Sequence, residues 1–508
     1  MNSRRDFLRT AAYAGATAVV AASALNRVQA QTAPGFLASS DPATDPLYVS
    51  ATKLAQLIRE KKITAVAAVE AALKRIDAVN PKINAVVTFC RERALAEAKE
   101  ADAALAKGKI LGPLHGVPFT IKDSFDTAGV VSTGGTLGRK DYIPGTDATV
   151  VARLRAAGAI LLGKSNTPEF TLGGNARGTY NLIFGQTYNP YKEGYSPAGS
   201  SGGAGAIVAA GGSYFDIGSD YGGSIRGPAH MCGIAGIKPT LGRSPRTGHI
   251  VGYGGAFDSF QETGPMARRV EDLYLLLSVT CGPDASDAAM APVPLGDPAK
   301  VDLKSLRVAY YLTHGTPGAS EETQAVVKKC VAYFEALGAK ITADQPPKMT
   351  ELADVRRQYN AADGREHMRR MLKLHGTTQA SPGLNISGDV IPSADFTRLC
   401  EEMDAIRSEQ LSWFEQYDLI ICPAGNFPAE PVPAEFVRPP GAGGARGGGY
   451  NSQYNTTGWP AGVVRAGTSS EGLPIGIHII AQPWRDDVVL AALAHVETKT
   501  GGWQKPPL

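Results

Sequence analysis

From residue 50 onward, apolar side chains recur at every third or fourth position, then in short unbroken runs, and the two patterns alternate along the chain. Ser50 precedes a stretch with Leu54, Leu57 and Ile58 on one face, which predicts a capped helix over 51–61. Thr64 opens a second helix with Val66, Val69, Ala72, Leu73 and Ile76 on its buried stripe, ended by Asn80-Pro81. A short strand over 84–89 and a helix over 91–107, closed by Gly108, follow. Residues 112–123 give a turn and then a buried strand ending on Lys122. A helix over 149–157, a buried strand from Ala159 to Leu162 and a loop over 163–169 come next. The pattern continues with a helix over 204–210, a strand over 214–217, and a helix that follows 264–268 and runs through Leu277. Strands are expected at Leu306–Leu312, Asp418–Cys422 and Pro474–Ala481. Helices at 321–337, 350–372 and 394–415 read as peripheral, and Asp486–Thr498 as the closing helix. Alternation of this kind predicts an α/β fold with helices on both faces of a sheet. No break in composition marks a linker, so one large domain is expected.

Composition changes this picture little. The chain has 508 residues, 43% hydrophobic and 19% charged, with a net charge of +3, too small to imply a nucleic-acid partner. The 58 glycines fall in discrete turns; the Gly-rich run 440–449 reads as a surface insertion rather than an active-site lid. The N-terminus reads as an address. Arg4-Arg5 lies in a twin-arginine pattern, an Ala-rich weakly apolar stretch runs from Ala11 to Leu25, and Val28-Gln29-Ala30 offers a cleavage site after Ala30. Residues 1–30 are therefore expected to be an export signal, 31–47 a loose arm and 48–508 the domain, with a periplasmic location. The short, Ala-diluted run predicts no stable membrane insertion. The six cysteines form no C-x-x-C pair and the histidines no H-E-x-x-H, so no metal or other cofactor is expected.

The informative chemistry lies in two Gly-rich turns, Gly199-Ser200-Ser201-Gly202-Gly203 and Gly222-Gly223-Ser224-Ile225-Arg226, flanking one helix and strand. Glycine allows close approach of a ligand to the main chain, and exposed N–H groups suit a developing oxyanion. Each turn alone reads as a surface loop; together they suggest presented serines. Lys122 ends an apolar run. Exposed, it is unremarkable; buried, it loses its charge easily and can act as a base. No G-x-S-x-G elbow is present. His230 and Cys232 lie near Ser224, but Cys232 reads as a small buried hydrophobe. Ser50-Ala51-Thr52-Lys53 and Lys499-Thr500-Gly501 fit penicillin-binding motifs, yet Ser50 reads as a helix cap and Lys499 sits at a helix end.

Lys122-Asp123 after a buried strand, the Gly199–Gly203 turn and Ser219-Asp220-Tyr221-Gly222-Gly223-Ser224-Ile225-Arg226 resemble the amidase signature family. Gly163-Lys164-Ser165-Asn166, Lys238-Pro239-Thr240 and Gly264-Pro265-Met266-Ala267-Arg268 extend the likeness, in order, from about 50 to 285, and it resumes more weakly over 455–460 and 472–476. The resemblance implies a central mixed, twisted sheet and cleavage of a small-molecule amide through an acyl-enzyme. It implies Ser224 as nucleophile, Ser200 in a cis peptide as proton relay, and Lys122 as neutral base. Ser200, not Ser201, has the matching spacing to Ser224. It further implies an oxyanion hole from the main-chain N–H groups of Tyr221, Gly222, Gly223 and Ser224, support from Ser201, Asp220 and Arg226, and substrate contact near Thr171, Leu172 and Gly173. Ser219 stands where threonine is frequent but keeps the hydroxyl. Tyr221 is bulky where a small or aliphatic residue is common, and is expected to alter the acyl pocket. An esterase or carbamate hydrolase with the same three groups is the alternative activity. A non-catalytic binding protein and a transamidating component working on charged tRNA are disfavoured. Monomer and homodimer remain open.

Overall fold

The computed structural model describes residues 45–508 except 175–176, 253–254, 316 and 435–449. The expected export signal, most of the arm and the Gly-rich run 440–449 lie outside the described residues. Elements are numbered in chain order.

The first helices form where their caps predict. Ser50 Oγ accepts the Lys53 N–H at 2.9 Å at the start of α1 (Ala51–Arg59), which accounts for the serine and lysine of that S-x-x-K match. Thr64 caps α2 (Ala65–Ile83) in the same way. α2 does not stop at Asn80-Pro81. Pro81 lies in its last turn, and the helix ends at Asn84 in the left-handed region (φ 47°). Asn80 turns back to cap this exit, its Oδ1 accepting from the N–H groups of Ala85 and Val86 at 2.8 Å each.

Two sheets follow. The smaller has the order β1 (Val86–Phe89), β3 (Ile160–Ser165), β2 (Pro118–Lys122), with β2 parallel to β3 and β1 antiparallel. A two-stranded hairpin, β4 (Tyr180–Asn181) and β5 (Gly185–Gln186), lies between the sheets in sequence. The larger sheet has eight strands. Its order is β10 (Lys340–Ala343), β9 (Arg307–Tyr310), β11 (Leu419–Pro423), β13 (Pro474–Ala481), β12 (Ala461–Thr468), β7 (Ala235–Lys238), β8 (Glu262–Ala267), β6 (Phe215–Asp220). It is mixed: β9 runs parallel to β10 and β11, and the remaining pairs are antiparallel. The sheets meet where β2 lies beside β6. Thr120 N donates to Ser213 Oγ at 2.9 Å, and Thr120 Oγ1 donates to Asp216 Oδ2 at 2.6 Å.

Both faces of the large sheet are covered. Successive residues of β12 point to opposite sides. Val464 joins a core with Val489 and Leu493 of the closing helix (Asp486–Thr500), and Val463 joins a second core with Ala229 and Cys232. The helices at Met349–Ala361 and Ser393–Phe414 stand apart from these cores. They close a satellite cluster of Leu352, Val355, Leu399, Met403 and Ile406 over Phe260, with Tyr221 packed against it.

Several elements depart from the sequence pattern. Glu262–Ala267 is an internal strand although Gly264-Pro265 signals a turn; a Cβ at 264 would lie 2.1 Å from Ile237 O, so the close strand approach itself requires the glycine. The strand 461–468 carries Gly462, Ala466 and Gly467 around a single Val463-Val464 pair, which dilutes its strand signal. The helix expected at 350–372 is two, Met349–Ala361 and Glu366–Leu374, broken where Gly364 and Arg365 take φ of 60° and 68°. Lys164 and Ser165 belong to β3 rather than to the following loop. All six cysteines are free. Among the described residues no helix is long and apolar enough to cross a membrane.

Candidate active site

Lys122 closes β2 with its side chain fully buried. Its Nζ lies 2.7 Å from Ser200 Oγ, 2.9 Å from Ser201 Oγ and 3.0 Å from Ser219 Oγ, with the Ser219 carbonyl at 3.5 Å. Burial lowers the amine's pKa to about 7, against the opposing pull of Asp220 and Asp216. At neutral pH the amine is therefore available both with and without its extra proton.

The first serine turn is held from several sides. Ala198 takes φ 63° and the Gly199–Ser200 peptide is cis. Thr179, which the sequence pattern does not single out, clamps the turn: its Oγ1 donates to Ala198 O at 2.9 Å and accepts the Gly202 N–H at 3.1 Å. A Cβ at 202 would lie 2.2 Å from that oxygen, so the position needs glycine. Ser201 N donates to Ser224 O at 3.1 Å and ties the two turns together. Ser200 and Ser201 are buried, whereas Ser224 is half-exposed. Among the described residues the Ser224 hydroxyl has no hydrogen-bond partner, and no bond joins it directly to Ser200.

The second turn is built on a buried carboxylate. Asp220 Oδ1 accepts from Gly223 N at 2.7 Å and Arg226 Nη2 at 2.9 Å; Oδ2 accepts from Ile225 N and Arg226 Nε at 3.0 Å each. Asn455 Nδ2 adds a bond at 3.0 Å. Burial alone would raise the carboxyl's pKa, but the Arg226 guanidinium and these donors hold it well below the ordinary range. This corrects one expectation: the Gly223 N–H serves Asp220 and is not free for an oxyanion. Among the described residues, the N–H groups of Gly222 and Ser224 have no acceptor.

Arg356 fixes the first of these two N–H groups, a role the sequence does not announce. Its Nη2 donates to Tyr221 O, and its Nη1 to Ser452 O at 2.5 Å and Thr456 Oγ1 at 3.2 Å. Carbonyl and N–H of a trans peptide point in opposite directions, so gripping Tyr221 O orients the Gly222 N–H. The Tyr221 ring lies under the same guanidinium, 4.8 Å away, and its hydroxyl donates to Asn360 Oδ1 at 2.6 Å. Tyr221 thus ties helix 349–361 to the turn.

Thr171, Leu172 and Gly173 sit in a tight turn with Phe170 and Thr171 at φ 49° and 63°. Leu172 packs against the apolar cluster of Ile250, Met368 and Met371. Among the described residues no hydrogen bond links this segment to Lys122, Ser200 or Ser224. His230 and Cys232 take structural places: His230 bonds Phe427 O and Gly476 N at 2.9 Å each, and burial pushes the Cys232 thiol's pKa up. His249, which no spacing marks, lies 2.9 Å from Ser219 Oγ. Among the described residues no group of His, Cys, Asp and Glu could hold a metal ion.

A mixed sheet whose edge gathers one buried lysine and several serine hydroxyls is the setting of a hydrolase, and comparison with known proteins specifies the kind. Residues 67–490 match the Amidase family, and the chain belongs to it. It is 33% identical to an acylamidase of Rhodococcus erythropolis, covering 91% of this chain and 97% of the relative. It is 34% identical to a glutamyl-tRNA(Gln) amidotransferase subunit of Moorella thermoacetica, over 91% and 98%. Among solved structures, 6-aminohexanoate cyclic dimer hydrolase in complex with substrate superposes with a TM-score of 0.79 at 30% identity, over 91% of this chain and 99% of that one. The protein is a hydrolase acting on carbon–nitrogen amide bonds.

Proposed function

We propose that the protein cleaves a small-molecule carboxylic amide to acid and amine or ammonia through an acyl-enzyme on Ser224. The observation that carries this reading is the buried Lys122 amine, with a pKa of about 7, in contact with Ser200 at 2.7 Å. A serine hydroxyl is a weak nucleophile unless a base takes its proton. Ser224 is the accessible serine; Ser200 is the buried one that passes its proton to Lys122. The attacked carbonyl becomes an oxyanion under the N–H groups of Gly222 and Ser224. Lys122 returns the proton to the leaving nitrogen, and water then releases the acid by the same path in reverse. Each oxyanion donor contributes about 2.7–4 kcal/mol and the base roughly 10²–10⁴-fold. Thr171, Leu172 and Gly173 are assigned to the substrate side on the family resemblance; Leu172 itself packs against Ile250, Met368 and Met371.

Steady-state kinetics on matched amides, esters and carbamates test the assignment. The amide should be turned over with the highest kcat/KM, and Ser224→Ala should lose all three activities. An enzyme that hydrolyses the ester or carbamate but not the amide would replace this reading. Export rests on Arg4-Arg5 and the Val28-Gln29-Ala30 site. Fractionation of bacteria expressing the full chain should find the protein in the periplasm beginning at Gln31, and cytoplasmic protein of full length would refute it.

A further inference from the structure

His249 and Gln261 take no step in the reaction above, yet both are buried, and they lead through Ser219 to its base. The His249 ring is held edge-on against Phe125 at 5.0 Å, and the backbone N–H of His249 donates to Arg246 O at 2.9 Å. Ring Nε2 lies 2.9 Å from Ser219 Oγ, and Nδ1 lies 3.1 Å from the Gln261 side-chain nitrogen. That nitrogen also lies 3.2 Å from Asp258 Oδ1, whose carboxylate is paired with Arg246 at 2.6 Å. An ionised carboxylate only accepts, so the Gln261 atom facing it must be the NH₂ group. The amide then gives one hydrogen to Asp258 and the other to His249 Nδ1. Nδ1 is the acceptor, and a neutral imidazole carries its hydrogen on Nε2.

We propose that His249 is a positioning residue that holds Lys122 in its neutral, proton-accepting form. The proposal rests on the reading of Lys122 as the base. His249 Nε2 donates to Ser219 Oγ. Among the described residues the hydrogen of Ser219 itself then has one acceptor within reach, the Lys122 amine at 3.0 Å. A neutral amine has an electron pair to receive it; an ammonium has none. Hydrogen bonding to the neutral form disfavours the charged form. On acylation the amine releases the Ser219 hydrogen bond and takes the proton of Ser200. The ammonium so formed leaves the Ser219 hydrogen without an acceptor, which favours passing the proton on to the leaving nitrogen. Other charges around the pair act beside this wiring. Asp220, and Asp216 when ionised, face Lys122 and favour the ammonium; burial pushes the Asp216 pKa up to about 7, and Arg226 neutralises Asp220; Lys122 and Arg246 face His249. Burial first, and then Arg246 together with Lys122 whenever the amine is charged, keep the imidazole neutral, its pKa well below the ordinary value.

The test is the pH dependence of kcat/KM for wild type, His249→Phe, His249→Gln and Gln261→Leu on one amide substrate. In wild type, kcat/KM should rise through about pH 7 as the amine deprotonates. In His249→Phe the rise should move up by about one pH unit, giving roughly tenfold loss at pH 6 and near-equality well above the rise. His249→Gln, whose side-chain amide can donate to Ser219, should keep the wild-type position. Gln261→Leu, which leaves the ring in place but frees its tautomer, should move the rise in the same direction by less; it carries the test should His249→Phe fail to fold. Unmoved profiles in His249→Phe and Gln261→Leu, or losses equal at every pH, would overturn the proposal and leave the base assignment standing. A Lys122→Ala enzyme with wild-type kcat/KM would overturn the base assignment itself.

Discussion

Lys122 and Lys164 stand on neighbouring strands, one residue out of step in the same ladder, and both are fully buried. Burial lowers the pKa of each. Their partners differ. Lys164 donates to Phe125 O, to Thr127 Oγ1 at 2.8 Å and to Ser132 Oγ at 3.3 Å, with the carboxyls of Asp123 and Asp126 nearby favouring its charge. Lys122 faces three serine hydroxyls at 2.7–3.0 Å, with the Ser219 carbonyl farther off at 3.5 Å. A carbonyl can only accept, so the bond to Phe125 O always commits one Lys164 hydrogen; a hydroxyl can donate or accept, so the three around Lys122 fit either protonation state. Burial alone does not make a base. In the proposed reaction Lys122 is the one that takes up a proton and returns it, while its neighbour pins the loop after β2.

Substitutions can break this comparison or sharpen it. Ser224→Ala should have the largest effect, a loss of about 10⁶-fold in kcat with the fold intact, the scale seen when a serine protease loses its serine. Lys122→Ala should cost roughly 10²–10⁴-fold and abolish the rise of kcat/KM through about pH 7, because only a deprotonated amine accepts the serine proton. Asp220→Asn should lower stability by about 3–5 kcal/mol, since Arg226 would be left as a buried charge, measurable as a fall in the denaturation midpoint. It should also move the pH rise downward, as a charge that favours the ammonium is gone. Lys164→Met should cost about 1–3 kcal/mol of stability through unsatisfied loop acceptors and leave the pH rise where it was. A shifted rise in Lys164→Met would erase the distinction between the two lysines. Tyr221→Phe should have the smallest effect, about 1 kcal/mol for the bond to Asn360, with kcat/KM nearly unchanged.

Much of the proposed catalytic edge was legible because it is local. Helix caps at Ser50 and Thr64, the apolar run ending on Lys122, and the glycines around Ser200 and Ser224 are written in adjacent residues. What stayed hidden comes from distant segments. Thr179 braces Ala198 and Gly202 through a hydroxyl with no motif around it. Arg356 reaches Tyr221 O from a helix 135 positions away, and His249 reaches Ser219 across 30. The strand 262–267 was masked by Gly264-Pro265, whose turn signal is overruled by pairing on both sides. The oxyanion assignment erred at Gly223 for a related reason: the sequence shows which N–H groups lie near Ser224, but not that Asp220 folds back on one of them.

Every step assigned to Lys122, Ser200 and Ser224 depends on a covalent intermediate. The most direct measurement is intact-mass spectrometry of the enzyme quenched in acid during turnover of a slowly hydrolysed amide, followed by peptide mapping. The enzyme should gain the mass of the acyl group, on the peptide containing Ser224, and Ser224→Ala should gain none. Turnover with no adduct under conditions where release of the acid is rate-limiting, or an adduct on another residue, would contradict it.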